Sequence, residues 1–444
     1  MASFNISTIT FNCAREHVKP DVFARHIAFA VSKVQTPDLL ILSVQEIAPI
    51  AYAFLGGSFL IPYFDRLRHS VDLAAKALGG DARYVSLITR NVGMTAIMAF
   101  LKEDLLDNIV WMETAGVGVG MQEMGNKGAV GIRIGYGLGS KTMEMTFVAA
   151  HLAPMEDAVD RRNEDWMNIV KGLGFTRLAP KAIRIASRSQ VRNGEDAPLL
   201  PGSIDNGTTP TCGLYSPMSH LFLAGDLNYR TSQTKPSLED YKAYPQPTED
   251  VTDSKHYKNL LKHDQLTKAL QAQETCHGLQ EAAIDFPPTY KYSDKQRAVA
   301  ETDAGVGWVW AKHRWPSWCD RILYLDLPSW MRSTDSLAQI RVYEYMALPL
   351  MSTSDHRPVV LAVSLPLKAI PPPDDEVTIS DCRVNPPFEI DPQWRPKRAV
   401  ARRKEVLVGI LAYLALTWEG NGVLLATVLG ALGGWAIISN SIGS

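Results

Sequence analysis

One short stretch, residues 221–230, constrains the fold of this chain more than any other. Residues 221–224 form an apolar run with the character of a buried strand, which breaks at Gly225 and is followed by Asp226 and Asn228. Residues two apart on an extended chain point the same way, so the carboxylate and the carboxamide can face one pocket. Taken alone, the pattern also fits an ordinary Asp/Asn turn at the end of a strand.

Two further apolar runs carry polar residues at one end. Residues 39–44 run directly into Gln45 and Glu46, and Asp355 and His356 stand just before another apolar run. Three polar strand ends that lie far apart in sequence predict one site assembled on the rim of a sheet. Short strands and helices alternate irregularly, with no internal repeat, which favours a layered α/β sandwich.

The periodicity of apolar residues predicts the individual elements. Strands are expected at 3–12, 39–44, 84–89, 95–100 and 143–150, and helices at 21–35, 52–79, 156–170 and two or three times within 236–283. Residues 189–219 are polar and rich in Gly, Pro, Asn and Thr, which predicts a surface loop. The folded unit is expected to end near Pro366, where a proline-rich linker begins.

Composition limits the function classes. The chain has 444 residues, 46% of them hydrophobic, which is enough for a sizeable core. Its formal net charge of -2 gives no whole-chain attraction to nucleic acid, so any basic site must be local. The five cysteines are odd in number and show no C-x-x-C spacing, which argues against a disulfide framework or a zinc site and fits a reducing compartment.

The end of the chain has the features of a membrane anchor. Basic residues precede an apolar run at 406–418, then residues 419–422 interrupt it, and a second apolar run covers 423–438. Neither run reaches about 20 residues, so we expect one interrupted span or a shallow hairpin. A pair of buried core helices is the alternative. Lys and Arg before the span place the preceding domain on the cytosolic face, and the short runs favour a thin membrane such as the endoplasmic reticulum.

The polar strand ends predict a reaction class. They offer oxygen ligands without clustered Cys or His: Asn12, Glu46, Asp226, Asn228, Asp355 and His356. Such a set suits a hard cation, Mg²⁺ above all. A carboxylate beside the ion can activate water, and a histidine can donate to a phosphoryl oxygen in the transition state. With no P-loop pattern and no nucleophile motif, metal-assisted hydrolysis of a phosphoester is the predicted reaction.

Seven motifs occur in order between residues 43 and 359: SVQEI, GNKGAV, AHL with RRNEDW, GDLNYR, FPPTYKY, PSWCDRILY and SDHRPV. Together they resemble the inositol polyphosphate 5-phosphatase family of the endonuclease/exonuclease/phosphatase superfamily, over about residues 5–365. With its tail, the chain resembles most closely the tail-anchored fungal members, which act on phosphatidylinositol 4,5-bisphosphate. The resemblance implies a DNase I-like four-layer sandwich, in which two packed, mostly antiparallel sheets are flanked by helices.

The resemblance also implies roles for single residues. Glu46 would bind Mg²⁺, with Asn12 nearby. Asp226 would activate the water, Asn228 would position it, and His356, oriented by Asp320, would contact the scissile phosphate. Asp355 would lie close to the metal and water, and His151 would be a further phosphate contact. The residues expected to bind substrate are Tyr290, Lys291, Lys312, Arg314, Lys127 and Asn126, of which the first four match positions that grip the neighbouring 4-phosphate.

Two stretches depart from the family pattern. Residues 293–309 lack the usual Asp-Thr-Ser pattern, which leaves the route to Lys312 and Arg314 open, and Glu123 adds a carboxylate to a loop that is usually rich in Gly and Met.

We therefore expect a catalytic domain at 1–368, a polar and basic linker at 369–404, an anchor at 405–438 and a short tail at 439–444. The expected function is Mg²⁺-dependent hydrolysis of the 5-phosphate of phosphatidylinositol 4,5-bisphosphate, by a monomeric catalytic domain that binds no nucleic acid. A nuclease or deadenylase of the same fold is one alternative. A catalytically idle tethering or lipid-binding module is the other, and the intact set of polar residues argues against it.

Overall fold

The computed structural model of the chain describes residues 2–32, 36–79, 83–179, 213–302, 307–373 and 380–442. Most of the loop predicted at 189–219 lies outside these ranges, as does Cys212; the other four cysteines are free.

Thirteen strands within the described residues form two sheets. The first sheet has the order β12-β13-β1-β2-β4-β3 and the second β10-β11-β9-β7-β6-β5-β8, where the strands are β1 Ser3–Asn12, β2 Leu39–Gln45, β3 Tyr84–Val92, β4 Thr95–Lys102, β5 Ile109–Gly118, β6 Gly128–Leu138, β7 Lys141–His151, β8 Thr176–Arg177, β9 Ser219–Asp226, β10 Leu279–Glu281, β11 Asp320–Leu325, β12 Arg341–Ala347 and β13 Val359–Pro366. Among these described strands, two pairs are parallel, β1 with β2 and β7 with β9, and the others are antiparallel.

Helices cover the outer faces of both sheets. Those within the described residues are α1 Pro20–Ser32, α2 Ile50–Leu55, α3 Ile61–Ala77, α4 Val159–Gly172, α5 Tyr257–Leu261, α6 Gln265–Gln271, α7 Asp294–Ala298, α8 Ser329–Thr334, α9 Trp394–Leu416 and α10 Trp418–Ile442. Alternate residues along a strand face opposite sides, so each sheet presents apolar residues to two layers.

The three largest apolar clusters follow from this alternation. One fills the space between the sheets, with Ile41, Phe147 and Phe222 at its centre. A second packs α1 and α3 against the first sheet, and a third packs α4 and α6 against the second. The result is helix, sheet, sheet, helix. This confirms the predicted four-layer sandwich.

The predicted helix at 52–79 is divided. Backbone φ angles of +72° at Gly56 and +58° at Gly57 end α2, and a short 3-10 turn leads to α3. Glycine adopts these left-handed angles without the steric cost of a Cβ. The periodicity of the apolar residues continues across the break, which is why the sequence pattern does not show it.

The tail forms two helices in sequence. Thr417 separates them: it has extended backbone angles after α9, and its Oγ1 accepts a hydrogen bond from Gly420 N at 3.0 Å. A threonine at this position caps the helix that follows. The polar residues 419–422 interrupt the apolar run in sequence but begin α10, and the break between the two helices falls just before them, at Thr417.

Residues Trp418–Ser439 are long and apolar enough to cross a membrane, and residues 421–439 are all exposed. This exposure does not fit the alternative of a buried core helix. Helix α9 runs through the predicted boundary at 404/405 without a break.

Candidate active site

The strand register brings the predicted catalytic residues together. Asp226, the last residue of β9, is paired with His151 of β7 on one side and with Asp320 of β11 on the other. On the first sheet, Asn12 ends β1 beside Gln45 of β2. These strand ends and the loops after them line a pocket of about 340 Å³.

The carboxylate of Asp226 contacts three neighbouring groups. Its Oδ2 accepts a hydrogen bond from Asn12 Nδ2 at 2.9 Å and lies 3.2 Å from His151 Nε2, while its Oδ1 accepts from Asn228 N at 3.1 Å. Burial alone would raise the pKa of Asp226, but His151, His356 and Lys127 hold it below the usual range. Asp226 is therefore an oriented carboxylate at neutral pH.

His356 and Asp320 form a second buried unit. Nδ1 of His356 is 2.9 Å from Asp320 Oδ2, which also accepts from Thr289 Oγ1 at 2.7 Å. Burial alone would lower the pKa of His356, but the charge of Asp320 raises it to about 9. The imidazole is therefore protonated at neutral pH. Because Nδ1 of His356 is bonded to Asp320, the Nε2–H of His356 is the group that can donate into the pocket.

Asn228 is held from both sides by groups that fix its amide. Its Nδ2 donates to Leu152 O at 3.1 Å, and its Oδ1 accepts from the guanidinium of Arg230. Arg230 also donates from Nε to Asn228 O at 3.0 Å and stacks on the Tyr290 ring, 4.4 Å from the centroid. Sequence reasoning gave Arg230 no role, although it stands within the GDLNYR motif.

Glu46, directly after β2, brings a further carboxylate to the pocket. It lines the pocket with a backbone φ of +46°, and its Oε2 is 2.9 Å from Arg15 Nε. Asn12 lies nearby, but its Oδ1 already accepts from Ala14 N at 2.9 Å. Asn12 orients Asp226 through its Nδ2, and its place beside a metal ion stays a prediction.

A second group of potential metal ligands surrounds Asp226. Ligand atoms of Asp226, Asp320 and His356 lie within 4.8 Å of one another. Asp320 and His356 are bonded to each other, so Asp226 is the member of this group that can accept an ion in the pocket that Glu46 also lines. Oxygen donors without thiolates suit a hard divalent cation, so the residues present fit Mg²⁺.

Several cationic side chains enter the pocket around these carboxylates. Lys127 contacts the His151 ring, and Lys291 forms an ion pair with Asp355. Burial lowers the pKa of Lys127, against the opposing charges of Asp226 and Glu46. Tyr290, which also lines the pocket, packs its ring 4.6 Å from that of His356. This environment favours an anion such as a phosphate group.

Three of the predicted substrate residues do not line the pocket. Lys312 is exposed and lies over the Tyr241 ring, 5.3 Å from its centroid. Arg314 is 3.3 Å from Glu156, close to the pocket-lining Pro154. The Asn126 side chain packs against Gly120. The pocket brings together the other predicted residues except Asp320, which stands behind His356.

Besides Arg230, two arginines that sequence reasoning did not assign line the pocket, Arg15 and Arg297. Arg15 follows β1 by three residues, and its proximity to Glu46 depends on the parallel pairing of β1 with β2, which no motif encodes. Arg297 belongs to α7, inside the stretch 293–309 that departs from the family pattern. Its local sequence, KQR, is typical of any solvated helix and gives no signal of a site.

Comparison with known proteins establishes the family. Residues 9–362 match the model of the endonuclease/exonuclease/phosphatase family 2. The chain belongs to this family. Its curated relatives are inositol polyphosphate and phosphoinositide phosphatases, which confirms the resemblance drawn from the motifs. The closer likeness to tail-anchored fungal members stays a prediction.

Two of these relatives illustrate the extent of the match. Type II inositol polyphosphate 5-phosphatase 15 of Arabidopsis thaliana is 29% identical over 304 residues, 68% of this chain. Polyphosphatidylinositol phosphatase INP53 of Saccharomyces cerevisiae is 28% identical over 344 residues, 75% of this chain. The chain spans about a quarter of the length of these relatives, 26% and 24% respectively.

A solved structure shows the same fold. The inositol polyphosphate 5-phosphatase domain of SpSynaptojanin, in complex with inositol (1,4)-bisphosphate and calcium ion, aligns with a TM-score of 0.56 at 23% identity. The alignment covers 91% of this chain and 90% of that one.

Proposed function

We propose that this protein hydrolyses the 5-phosphate of phosphatidylinositol 4,5-bisphosphate, with Mg²⁺ as cofactor. The observation that carries the proposal is the pairing of an oriented carboxylate, Asp226, with a protonated imidazole, His356, in a cationic pocket. The names of the relatives supply the substrate class: 5-phosphatases of inositol polyphosphates and of phosphatidylinositol phosphates.

In the proposed reaction, Asp226 orients a water molecule and accepts its proton as the water attacks phosphorus. Three hydrogen-bonding groups aim the carboxylate, so little reorganisation is needed as the reaction proceeds. Asn228 lies beside it, with its amide fixed by Arg230 and Leu152, and is placed to hold the water or a phosphate oxygen.

His356 stabilises the negative charge that develops on the substrate. Its Nε2–H donates to a phosphoryl oxygen, whose negative charge grows in the transition state, or to the departing inositol oxygen. Asp320 keeps the imidazole protonated and fixes its orientation. Lys127, Lys291 and Arg297 neutralise the remaining phosphate charge, and Lys291 is the one that Asp355 holds in place.

Glu46 and Asp226 would hold the Mg²⁺ ion. When bound, the ion would polarise the phosphoryl oxygen and lower the pKa of bound water. Arg15 beside Glu46 would then remain as a charge-balancing partner at the edge of the pocket.

We further propose that α10 anchors the enzyme to an internal membrane such as the endoplasmic reticulum, with the basic residues before the span favouring the cytosolic face for the catalytic domain. The large apolar side chains of α10 are exposed, for example Trp435 at 70% and Ile437 at 70%. An anchored enzyme meets a lipid substrate without leaving its membrane. We propose that the catalytic domain acts as a monomer.

Phosphate release by the full chain in liposomes tests the proposal. The substrates are phosphatidylinositol 4,5-bisphosphate, phosphatidylinositol 4-phosphate, soluble inositol 1,4,5-trisphosphate and single-stranded RNA, with Asp226→Asn as the matched inactive control. We expect Mg²⁺-dependent release from the first and third only, with the lipid preferred. Cleavage of the RNA, or release from the 4-phosphate, would contradict the proposal; preference for the soluble compound would refute the lipid specificity alone.

A further inference from the structure

The first tail helix, α9, is fitted to the catalytic domain along one face. Its buried residues are Ala401, Glu405 and Gly409, which are spaced four apart and so share a face. Gly409 lies so close to α2 that an added Cβ would stand 3.0 Å from Cβ of Phe54. The opposite face of α9 is exposed and apolar, with Leu407 and Leu411 more than half accessible. The docked face is therefore specific, and it is distinct from the face available to lipid.

Glu405 is the charged residue of the docked face, and it is fully buried. Its Oε1 accepts a hydrogen bond from Gly125 N at 2.9 Å. Arg398 donates to both of its oxygens, at 3.0 Å for Oε2, and Arg402 lies 3.3 Å from the same oxygen. A buried carboxylate is costly unless it is paired and hydrogen-bonded. Here the pairing is complete only while α9 and the loop at Gly125 stay together.

Gly125 is held from the other side by the turn between β3 and β4. Met94 N donates to Gly125 O at 2.9 Å, and an added Cβ on Gly125 would lie 2.8 Å from Gly93 N. The loop is thus wedged between that turn and Glu405. Two residues further on, Lys127 lines the pocket and contacts His151.

The same helix also contacts the segment that follows Glu46. Arg402 donates to the carbonyl oxygens of Phe54 and Leu55, the latter at 3.0 Å, at the end of α2. The last carbonyls of a helix lack the usual intrahelical partners, so an arginine there is stabilising. Helix α9 therefore contacts two segments near the pocket: the end of α2, which follows Glu46 in sequence, and the loop at Gly125, which precedes Lys127.

We propose that Glu405 is a positioning residue for catalysis: through Gly125 it fixes the loop that carries Lys127, so α9, the helix that leads into the membrane anchor, completes the active site. The inference rests on the proposed function and adds to it a coupling between α9 and the pocket.

The test measures hydrolysis of soluble inositol 1,4,5-trisphosphate by the full chain in detergent, where proximity to a lipid substrate plays no part. Glu405→Met removes the acceptor of the Gly125 bond at similar side-chain length. We expect kcat/KM to fall about tenfold, as for loss of a hydrogen bond to a charged group. Arg403→Gln, an exposed change on the same helix, is the matched control and should stay within about twofold of wild type.

A double-mutant comparison separates positioning from a merely structural role. If Glu405 acts through Lys127, Glu405→Met should add less than about twofold to the loss already caused by Lys127→Ala. Glu405→Gln can still present an oxygen to Gly125, and it should retain activity within about threefold of wild type. Should Glu405→Met fail to fold, the same comparison is made with Glu405→Gln, whose smaller loss should also disappear in the Lys127→Ala background.

Two results would overturn the inference. One is an unchanged kcat/KM in folded Glu405→Met; the other is a loss, in either Glu405 variant, that is fully additive with that of Lys127→Ala. An inactive wild-type chain would overturn the proposed function and the inference with it, so the two failures are distinguishable.

Discussion

The centre of the pocket and its cationic rim are built in different ways. Asp226 and His356 are 1% and 5% exposed, and each is fixed by neighbours on adjacent strands or at strand ends. Lys312 and Arg314 instead stand on a loop, and each contacts a side chain outside the pocket, Tyr241 and Glu156. Strand register determines the centre, whereas loop conformation determines the rim. Substitutions at the centre should therefore abolish chemistry, and those at the rim should adjust binding.

The largest effect is expected at the centre, from Asp226→Asn. The variant keeps the shape of the side chain but loses the carboxylate that accepts the proton of the water. We expect kcat on inositol 1,4,5-trisphosphate to fall by about 10³-fold or more. Asp107→Asn, at an exposed carboxylate between β4 and β5, serves as control. Retention of more than a tenth of the wild-type rate would contradict the role given to Asp226.

Asp320→Asn tests the second buried unit through its pH dependence. The pKa of His356 is raised to about 9, above its ordinary 6.5, so the donor is protonated below that pH and lost as the pH rises through about 9. The contribution of the His356–Asp320 pair to the free energy of unfolding has the same pH dependence. It is fully present below pH 6.5 and is lost as the pH rises through about 9. In the pH–rate profile of the wild type, kcat should therefore fall on the basic side, as the pH rises through about 9.

In Asp320→Asn, the charge that raises the pKa of His356 is removed. The basic limb should move to lower pH, and kcat at neutral pH should fall by about 10²-fold. A pH profile of the variant that overlays the wild-type profile after scaling would show that His356 is not the group titrating.

Lys291→Met probes the boundary between centre and rim. Lys291 lines the pocket and pairs with Asp355, so its loss removes a charged donor and leaves a partly buried carboxylate unpaired. We expect KM to rise about tenfold, with a smaller fall in kcat. Steady-state kinetics on the soluble substrate would measure both. An effect on kcat alone would move Lys291 from the binding of substrate to the chemistry.

The smallest effect is expected for Lys312→Met. Because Lys312 is exposed and outside the pocket, kcat/KM should change by less than about threefold. The matched comparison is Lys291→Met in the same assay. A loss as large as that of Lys291 would mean that the loop closes over bound substrate, and it would restore the role that the family resemblance implies.

Sequence reasoning reached the centre of the site because strand periodicity and motif order carry the information. A residue that ends an apolar run must lie at a sheet edge, so the motifs alone are enough to place Glu46, Asp226 and His356 together. The same reasoning could not place Arg15 and Arg297, whose positions depend on the pairing of strands and on the path of a loop.

For the fold, too, the sequence predicts the general arrangement but not every detail. The layers followed from alternating apolar residues, but the break at Gly56 and Gly57 and the cap at Thr417 depend on single backbone conformations. The docking of α9 had no sequence signal at all, since the basic residues before an anchor are equally typical of a lipid-facing cluster. The contacts of Glu405 and Arg402 show that α9 is docked on the catalytic domain, which the basic residues alone do not distinguish from a lipid-facing cluster.

The most direct test of the account is the identity of the product. The full chain is incubated with inositol 1,4,5-trisphosphate in Mg²⁺ and, in parallel, in EDTA, and the products are followed by phosphorus NMR. The account predicts inositol 1,4-bisphosphate and inorganic phosphate with Mg²⁺, no turnover in EDTA, and recovery when Mg²⁺ is restored. Release of the 1- or 4-phosphate, or unchanged turnover in EDTA, would contradict it.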